Sequence, residues 1–297
     1  MSGPRPVTYI SRSRPTIEGA GVRLKRVFGF HEVPNVDPFL LLDHFGSDDP
    51  DDYMAGFPWH PHRGIETVTY VLEGAVEHGD SIGNKGVIRS GDVQWMTAGG
   101  GIIHQEMPQR YEGIMRGFQL WVNLPRADKM MEPRYRDVLA ATIPTVKLDD
   151  GIAVKVIAGE VNRTRGPVEE LVVPVEYLDV TVPPGVLFER TIPPGHKVVA
   201  YVFEGGGRFG PEELRVGTEH LVVLGDGGAV EVTASGEGIR FLLASGPPLD
   251  EPVAWRGPIV MNTEEELDTA FAQLRAGTFI QKGSDTTMPI ADKYYRR

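Results

Sequence analysis

Glycine and proline cut this chain into short pieces, and that spacing decides most of what it can fold into. The 297 residues include 36 Gly and 24 Pro, about a fifth of the chain against roughly 12% in average usage. They are spread along the whole length and do not gather into one tract. Between them lie runs rich in Val, Ile, Thr and aromatics, among them ETVTYVLEG, GVIRSGDVQWM, GIIHQEM, GFQLWVNL, GIAVKVIAG, HKVVAYVFEG and AVEVTASG. Short runs of this kind between turn residues are strand signals. Many of them at close spacing predict an all-β chain of sandwich or barrel type. One helix is expected, at about 263–276 in NTEEELDTAFAQLRAG. Thr263 and Glu266 have capping-box spacing. Leu267, Ala270, Phe271 and Leu274 share a face, which is expected to pack on a barrel.

The chain also repeats itself. Tyr70-Val71-Leu72-Glu73-Gly74 returns as Tyr201-Val202-Phe203-Glu204-Gly205, an offset of 131. Gly91, Gly99 and Gly101 return as Gly217, Gly225 and Gly227, an offset of 126. Two near-equal offsets in the same order predict a duplicated β-domain, with the difference absorbed in a loop. Strand signals lapse in MEPRYRDVLAATIPTVKLDDG, so the boundary is placed there, giving domains 1–135 and 136–297 with the helix in the second.

Composition removes several classes of function. The formal charge is −11, which repels phosphate backbones and argues against direct nucleic-acid binding. Protein partners remain compatible with it. No stretch approaches the roughly 18 apolar residues of a membrane span. The opening MSGPRPVTYISRSRP has no apolar leader segment. There is no Cys, so disulfides, thiolate metal sites and thiol nucleophiles are excluded. Together these features give a cytoplasmic expectation.

Any metal must therefore be held by imidazole and carboxylate. Two pairs stand out: His60-Pro61-His62, and His104 with Glu106, 42 residues further on. In a strand, residues i and i+2 point to the same face. If the two strands are neighbours, all four side chains converge. Three imidazoles and a carboxylate in an apolar barrel cost several kcal/mol unless a cation pairs with them. The set suits one divalent transition ion: Fe(II), Mn, Ni, Co, Cu or Zn. Four protein ligands on a six-coordinate ion leave two positions open to substrate or dioxygen. Glu66, four residues after His62, is a second candidate carboxylate, unless Arg63-Gly64 forms a bulge that turns it away, or Glu66 begins the next strand and is structural or supports a ligand from outside. The residues alone leave that choice open.

The runs FPWHPHRGIETVTYVLEG, GDVQWMTAGGGIIHQEMP and FQLWVNLP, with PFLLLDHFG upstream, resemble the pirins, a two-domain branch of the cupins. The match is dense from about Pro38 to Pro125. The resemblance implies two cupin-type antiparallel β-barrels, a bicupin, with metal in the N-terminal one alone. It implies His60, His62, His104 and Glu106 as ligands, and so selects Glu106 over Glu66. Shifted by the repeat offsets, the ligand positions fall on Thr191, Pro193, Val230 and Val232, and Glu66 falls on Lys197. The second barrel is therefore expected to hold no metal; His196 and His220 lie out of register. His31 and His78 are read as surface or strand residues, and His44 as a loop residue. Among Trp59, Trp95, Met96, Phe118 and Trp121, most are expected in the core and one or two at a pocket for a flat ligand. Pirins include enzymes similar to quercetin 2,3-dioxygenase. The implied reaction opens a flavonol ring with O2, with Fe(II) the first expectation for the metal and Glu106 as catalytic base. The alternative is a metal-binding interaction protein that modulates transcription or a metabolic enzyme without turnover.

Overall fold

The structure is a computed structural model that describes residues 3–29 and 36–280. Strands dominate it, and the Glu264–Arg275 helix is the one α-helix among the described residues. The chain forms two compact units: one contains residues 15–26, 39–140 and 250–280, and the other residues 3–14, 27–29, 36–38 and 141–249. A single cut after residue 135 is the simplest sequence reading. The units part close to that point, at Ala140 and Ala141, but they also exchange their ends. The Val7–Arg12 strand pairs antiparallel with His220–Leu224, and the C-terminal helix belongs to the unit that carries the two histidine motifs.

That unit has a seven-stranded sheet and a four-stranded sheet. The larger runs in the order Arg134–Val138, Val93–Thr97, Ile65–Glu73, Met115–Asn123, Phe39–Ser47, Val22–Phe28, Arg14–Glu18. The smaller runs Phe57–His62, Ile102–Pro108, Ala75–Asp80, Lys85–Arg89. Register assigns the faces. Thr67 sits opposite Trp121 and Met96, and Thr69 opposite Gln119 and Gln94. These residues share one face, which meets the histidines. Glu66, Val68, Tyr70, Trp95, Phe118 and Leu120 take the other face. In the small sheet His60, His62, Ile102, His104 and Glu106 point inward, while Trp59 and Ile103 point outward. Pro61 can sit in the Phe57–His62 strand because that strand is an edge and one side of it needs no N–H donor.

The outward face is where the helix packs. Ile103 joins Ala254, Ile259, Met261, Leu267, Ala270, Leu274 and Phe279 in one buried cluster, with Trp59 and Phe271 against it. Thr263 accepts from the Glu266 backbone, and the Glu266 carboxylate returns to the Thr263 N–H. The predicted cap is thus formed, and three acidic residues in the first turn suit the helix dipole. The connecting turns run close to this segment. Gly64 has φ +77°, and a Cβ there would lie 1.9 Å from the Val260 carbonyl oxygen. Gly64→Ala is expected to cost about 1–3 kcal/mol, through left-handed strain and a backbone clash, read as a shifted urea midpoint.

The other unit is built on a nine-stranded antiparallel sheet that folds back on itself, with Leu187–Thr191 pairing along Ala229–Gly246, and a two-stranded pair, Glu160–Val161 with Thr164–Arg165. Its main core cluster is apolar: Val154, Val156, Leu178, Val180, Phe188, Val230, Val232 and Phe241 all belong to it. The duplication survives in the pairing. Glu106 lies opposite Phe57, and its copy Val232 lies opposite Phe188, the copy of Phe57. Among the described residues, no helix is long and apolar enough to cross a membrane.

Candidate metal centre

The ladder brings the two motifs together. His104 is directly opposite His60, and Ile102 opposite His62. Ring centroids are 4.2 Å apart for His60–His104, 4.9 Å for His60–His62 and 5.0 Å for His62–His104. One ring nitrogen from each can be chosen so that all lie within 4.8 Å of one another. All three rings are buried.

Hydrogen bonding sets the tautomers of two of them. His60 Nδ1 is 3.0 Å from the Pro58 carbonyl, and His62 Nδ1 is 3.0 Å from the Pro258 carbonyl. A carbonyl only accepts, so Nδ1 carries the proton and Nε2 keeps the lone pair. His104 differs: neither of its ring nitrogens has a hydrogen-bond partner, although the ring is fully buried. Burial first, and then the neighbouring histidines, hold His62 and His104 well below the ordinary imidazole range. They are therefore neutral, which is the ligating form. Two neutral imidazoles, one of them orphaned, beside the His60 ring fit a divalent first-row ion; donors around such an ion lie roughly 3–3.5 Å apart for bonds of about 2.1 Å.

Glu106 lies on the same inner face, past a register shift that separates it from His104 along the Phe57–His62 strand. The 4.8 Å set holds imidazoles alone. The carboxyl of Glu106 is 2.6 Å from Thr69 Oγ1, which is also 2.7 Å from Gln119 Oε1. A hydroxyl has one proton. Either Thr69 donates to a charged Glu106 and Gln119 turns its amide N–H to Thr69, or a neutral Glu106 donates to Thr69, which donates to Gln119. Burial pushes the Glu106 carboxyl up, opposed by the Thr69 hydrogen bond and by His78. Glu66 is elsewhere: it lies on the other face of the large sheet and accepts from Thr97 Oγ1 at 2.6 Å.

His78, read from sequence as an ordinary surface or strand residue, is part of these surroundings. It is buried, sits opposite Glu106, and its ring is 5.4 Å from His104. It stacks on Tyr135 at 4.7 Å, and its Nε2 is 3.3 Å from Asp80. The available signal was another i, i+2 pair, His78 and Asp80, in a strand run. His44 stacks on Phe118 at 4.9 Å, on the face away from the cluster, and His31 lies outside the described residues. Of the five pocket candidates, Trp121 stands edge-on to His62 at 5.1 Å. Met96 packs with Ile65, Ile102 and Val260. Trp95 and Phe118 point to the opposite face, and Trp59 lies against the helix cluster.

Two duplicated β units, one lined with imidazoles and the other filled with apolar side chains, define a bicupin. The family comparison agrees: the Pirin model matches residues 21–122, and the Pirin C-terminal cupin domain model matches residues 177–280. The chain belongs to the pirin family. It is 46% identical to a pirin-like protein of Caulobacter vibrioides, covering 93% of this chain and 99% of that one. It is 41% identical to human pirin, covering 93% and 94%. Its fold is similar to the crystal structure of quercetin 2,3-dioxygenase from Acinetobacter baumannii, with TM-score 0.87 and 33% identity over 95% of this chain and 99% of that chain.

Proposed function

We propose that this chain is a cytoplasmic, metal-dependent dioxygenase that opens a planar enol or flavonol with O2. His60, His62, His104 and Glu106 would hold one divalent transition ion, with Fe(II) ahead of Mn, Ni, Co, Cu or Zn. The observation that carries the reading is His104: a neutral, buried imidazole with two unpartnered nitrogens, facing two rings whose Nδ1 protons are already committed. An unsatisfied buried group of this kind costs about 1–3 kcal/mol and calls for a ligand. When bound, the ion supplies Lewis acidity that lowers the pKa of an enolic hydroxyl. The chain's own residues do the rest. Glu106 takes the hydroxyl proton, and Thr69 and Gln119 offer that carboxyl two alternative hydrogen-bonded states. Trp121 presents an aromatic wall beside His62. The apolar lining around Met96 and Ile102 keeps water from the activated substrate. The resemblance to a quercetin 2,3-dioxygenase supports the substrate class.

In the net reaction, both oxygen atoms of O2 enter the product and one ring carbon leaves as carbon monoxide. The test supplies each candidate ion, quercetin and O2 to metal-free protein and measures carbon monoxide. Release is expected with at least one ion, falling at least about 100-fold in Glu106→Gln. No carbon monoxide with any ion ends the flavonol reading.

A further inference from the structure

Residues 258–260 run beside 62–64 and are tied to them in three places. The Pro258 carbonyl accepts from His62 Nδ1 at 3.0 Å. The Val260 N–H donates to the Arg63 carbonyl at 3.1 Å. Lys129 Nζ donates both to Gly64 O at 2.9 Å and to Val260 O at 3.1 Å. Arg63 then reaches further along the C-terminal segment. Its Nε donates to Gly100 O at 2.8 Å, Nη1 to Gln273 Oε1 at 2.8 Å and Nη2 to Phe279 O at 2.9 Å. The guanidinium also lies 4.2 Å from the centre of the Phe279 ring. The side chain is only 2% exposed. A single fork thus joins the turn after His62, the glycine run before His104, the helix and the residues that follow it. A lysine has no such planar set of donors.

We infer that residues 258–279 form part of the metal centre, with Arg63 as the positioning residue that keeps the Pro258 carbonyl on His62; the inference rests on the metal-centre reading above. The chemistry is specific. With Nδ1–H held by Pro258, the lone pair of His62 is on Nε2, where it faces His60 and His104. If the segment loosens, His62 is free to take the Nε2–H tautomer, which cannot ligate through that atom. Partners that orient a ligating histidine are worth 10–100-fold in metal affinity.

The experiment compares wild type, Arg63→Gln and the control Arg256→Gln. Arg256 ties the same helix from its exposed side, to Glu264 at 2.6 Å and Asp268 at 2.8 Å. Two quantities are read: zinc affinity by competition titration, and the His62 tautomer in metal-free protein from its ring 15N shifts. Arg63→Gln is expected to melt cooperatively, bind zinc 10–100-fold more weakly and show a mixed His62 tautomer. Arg256→Gln should stay within about twofold of wild type in affinity. Wild-type values for Arg63→Gln in both readings, or an equal loss in Arg256→Gln, overturn the inference. Should Arg63→Gln not fold, the wild type decides: zinc is expected to slow amide exchange across 264–275, and no slowing overturns it. If wild type takes up no zinc, the metal-centre reading falls and this inference with it. Tight wild-type binding with an indifferent Arg63→Gln overturns this inference and leaves the metal-centre reading standing.

Discussion

His104→Leu is expected to give a chain that is more stable without metal and unable to hold it. Leu is close to His in volume and asks for no hydrogen bond. The wild-type ring buries two unpartnered nitrogens, so the exchange should return about 1–3 kcal/mol in metal-free protein. The gain should also depend on pH, and the sign follows from the lowered pKa of this ring. Folded His104 stays neutral, while an unfolded histidine takes a proton below about 6.5. The unfolded state then binds more protons, so wild-type stability drops as pH is lowered below about 6.5, by up to about 1.4 kcal/mol per unit from this group. The Leu variant lacks that loss. The carboxyls of Glu66 and Glu106, pushed up by burial, act in the opposite direction, but both proteins carry them and they cancel in the difference. The stability gap should therefore widen between pH 7.5 and pH 5.5 in urea unfolding of chelator-treated protein. Metal affinity should fall at least about 100-fold, more than an orienting partner is worth. A variant that is less stable than wild type at pH 7.5, or one that binds metal normally, contradicts the assignment.

Parity arguments put each histidine pair on one face where a strand ran unbroken, and left Glu66 open where it did not. His60 with His62, and His104 with Glu106, each lie within one strand, so i and i+2 counting placed them on one face. Counting on from His62 to Glu66 crosses a break: one strand ends at His62, another begins at Ile65, and the two lie in different sheets. The count restarts there, and Glu66 faces away. Of the five aromatic and Met candidates, most are expected in the core; Trp95 and Phe118 are there, while Trp121 stands beside His62. His78 escaped notice because its importance lies in its cross-strand neighbour, Glu106, 28 positions away. The helix and its cap were legible because they are local. Its placement was not. The apolar face of Leu267, Ala270 and Leu274 meets Ile103 and Trp59, and nothing near the helix in sequence points to them.

Val232→Glu is expected to cost about 3–5 kcal/mol, although the same residue type is tolerated at the duplicated position 106. The difference lies in the neighbours. Around Glu106 stand the Thr69 hydroxyl, which is in hydrogen-bond contact, and His78, which is opposite in register. Their copies at an offset of 131 are Ala200 and Phe209. Phe209 lies opposite Val232, and both are fully buried in the apolar core together with Ala200. A carboxyl placed there is set among apolar side chains, and Arg190, two residues along from Phe188, is already paired with Glu176. Left charged, it is an unpaired buried ion; protonated, it is still an unsatisfied polar group. Against a total stability of 5–15 kcal/mol, this is enough to lower the melting temperature sharply. The reverse exchange, Glu106→Val, removes a buried carboxyl that burial already disfavours, and should change metal-free stability by less than about 1.5 kcal/mol. Thermal and urea unfolding of the two variants, side by side and without metal, test the asymmetry. Equal costs would mean that the two interiors do not differ in the way their side chains indicate. A large cost confined to Val232→Glu would show that the second unit is stabilised by apolar packing at the positions that are polar in the first.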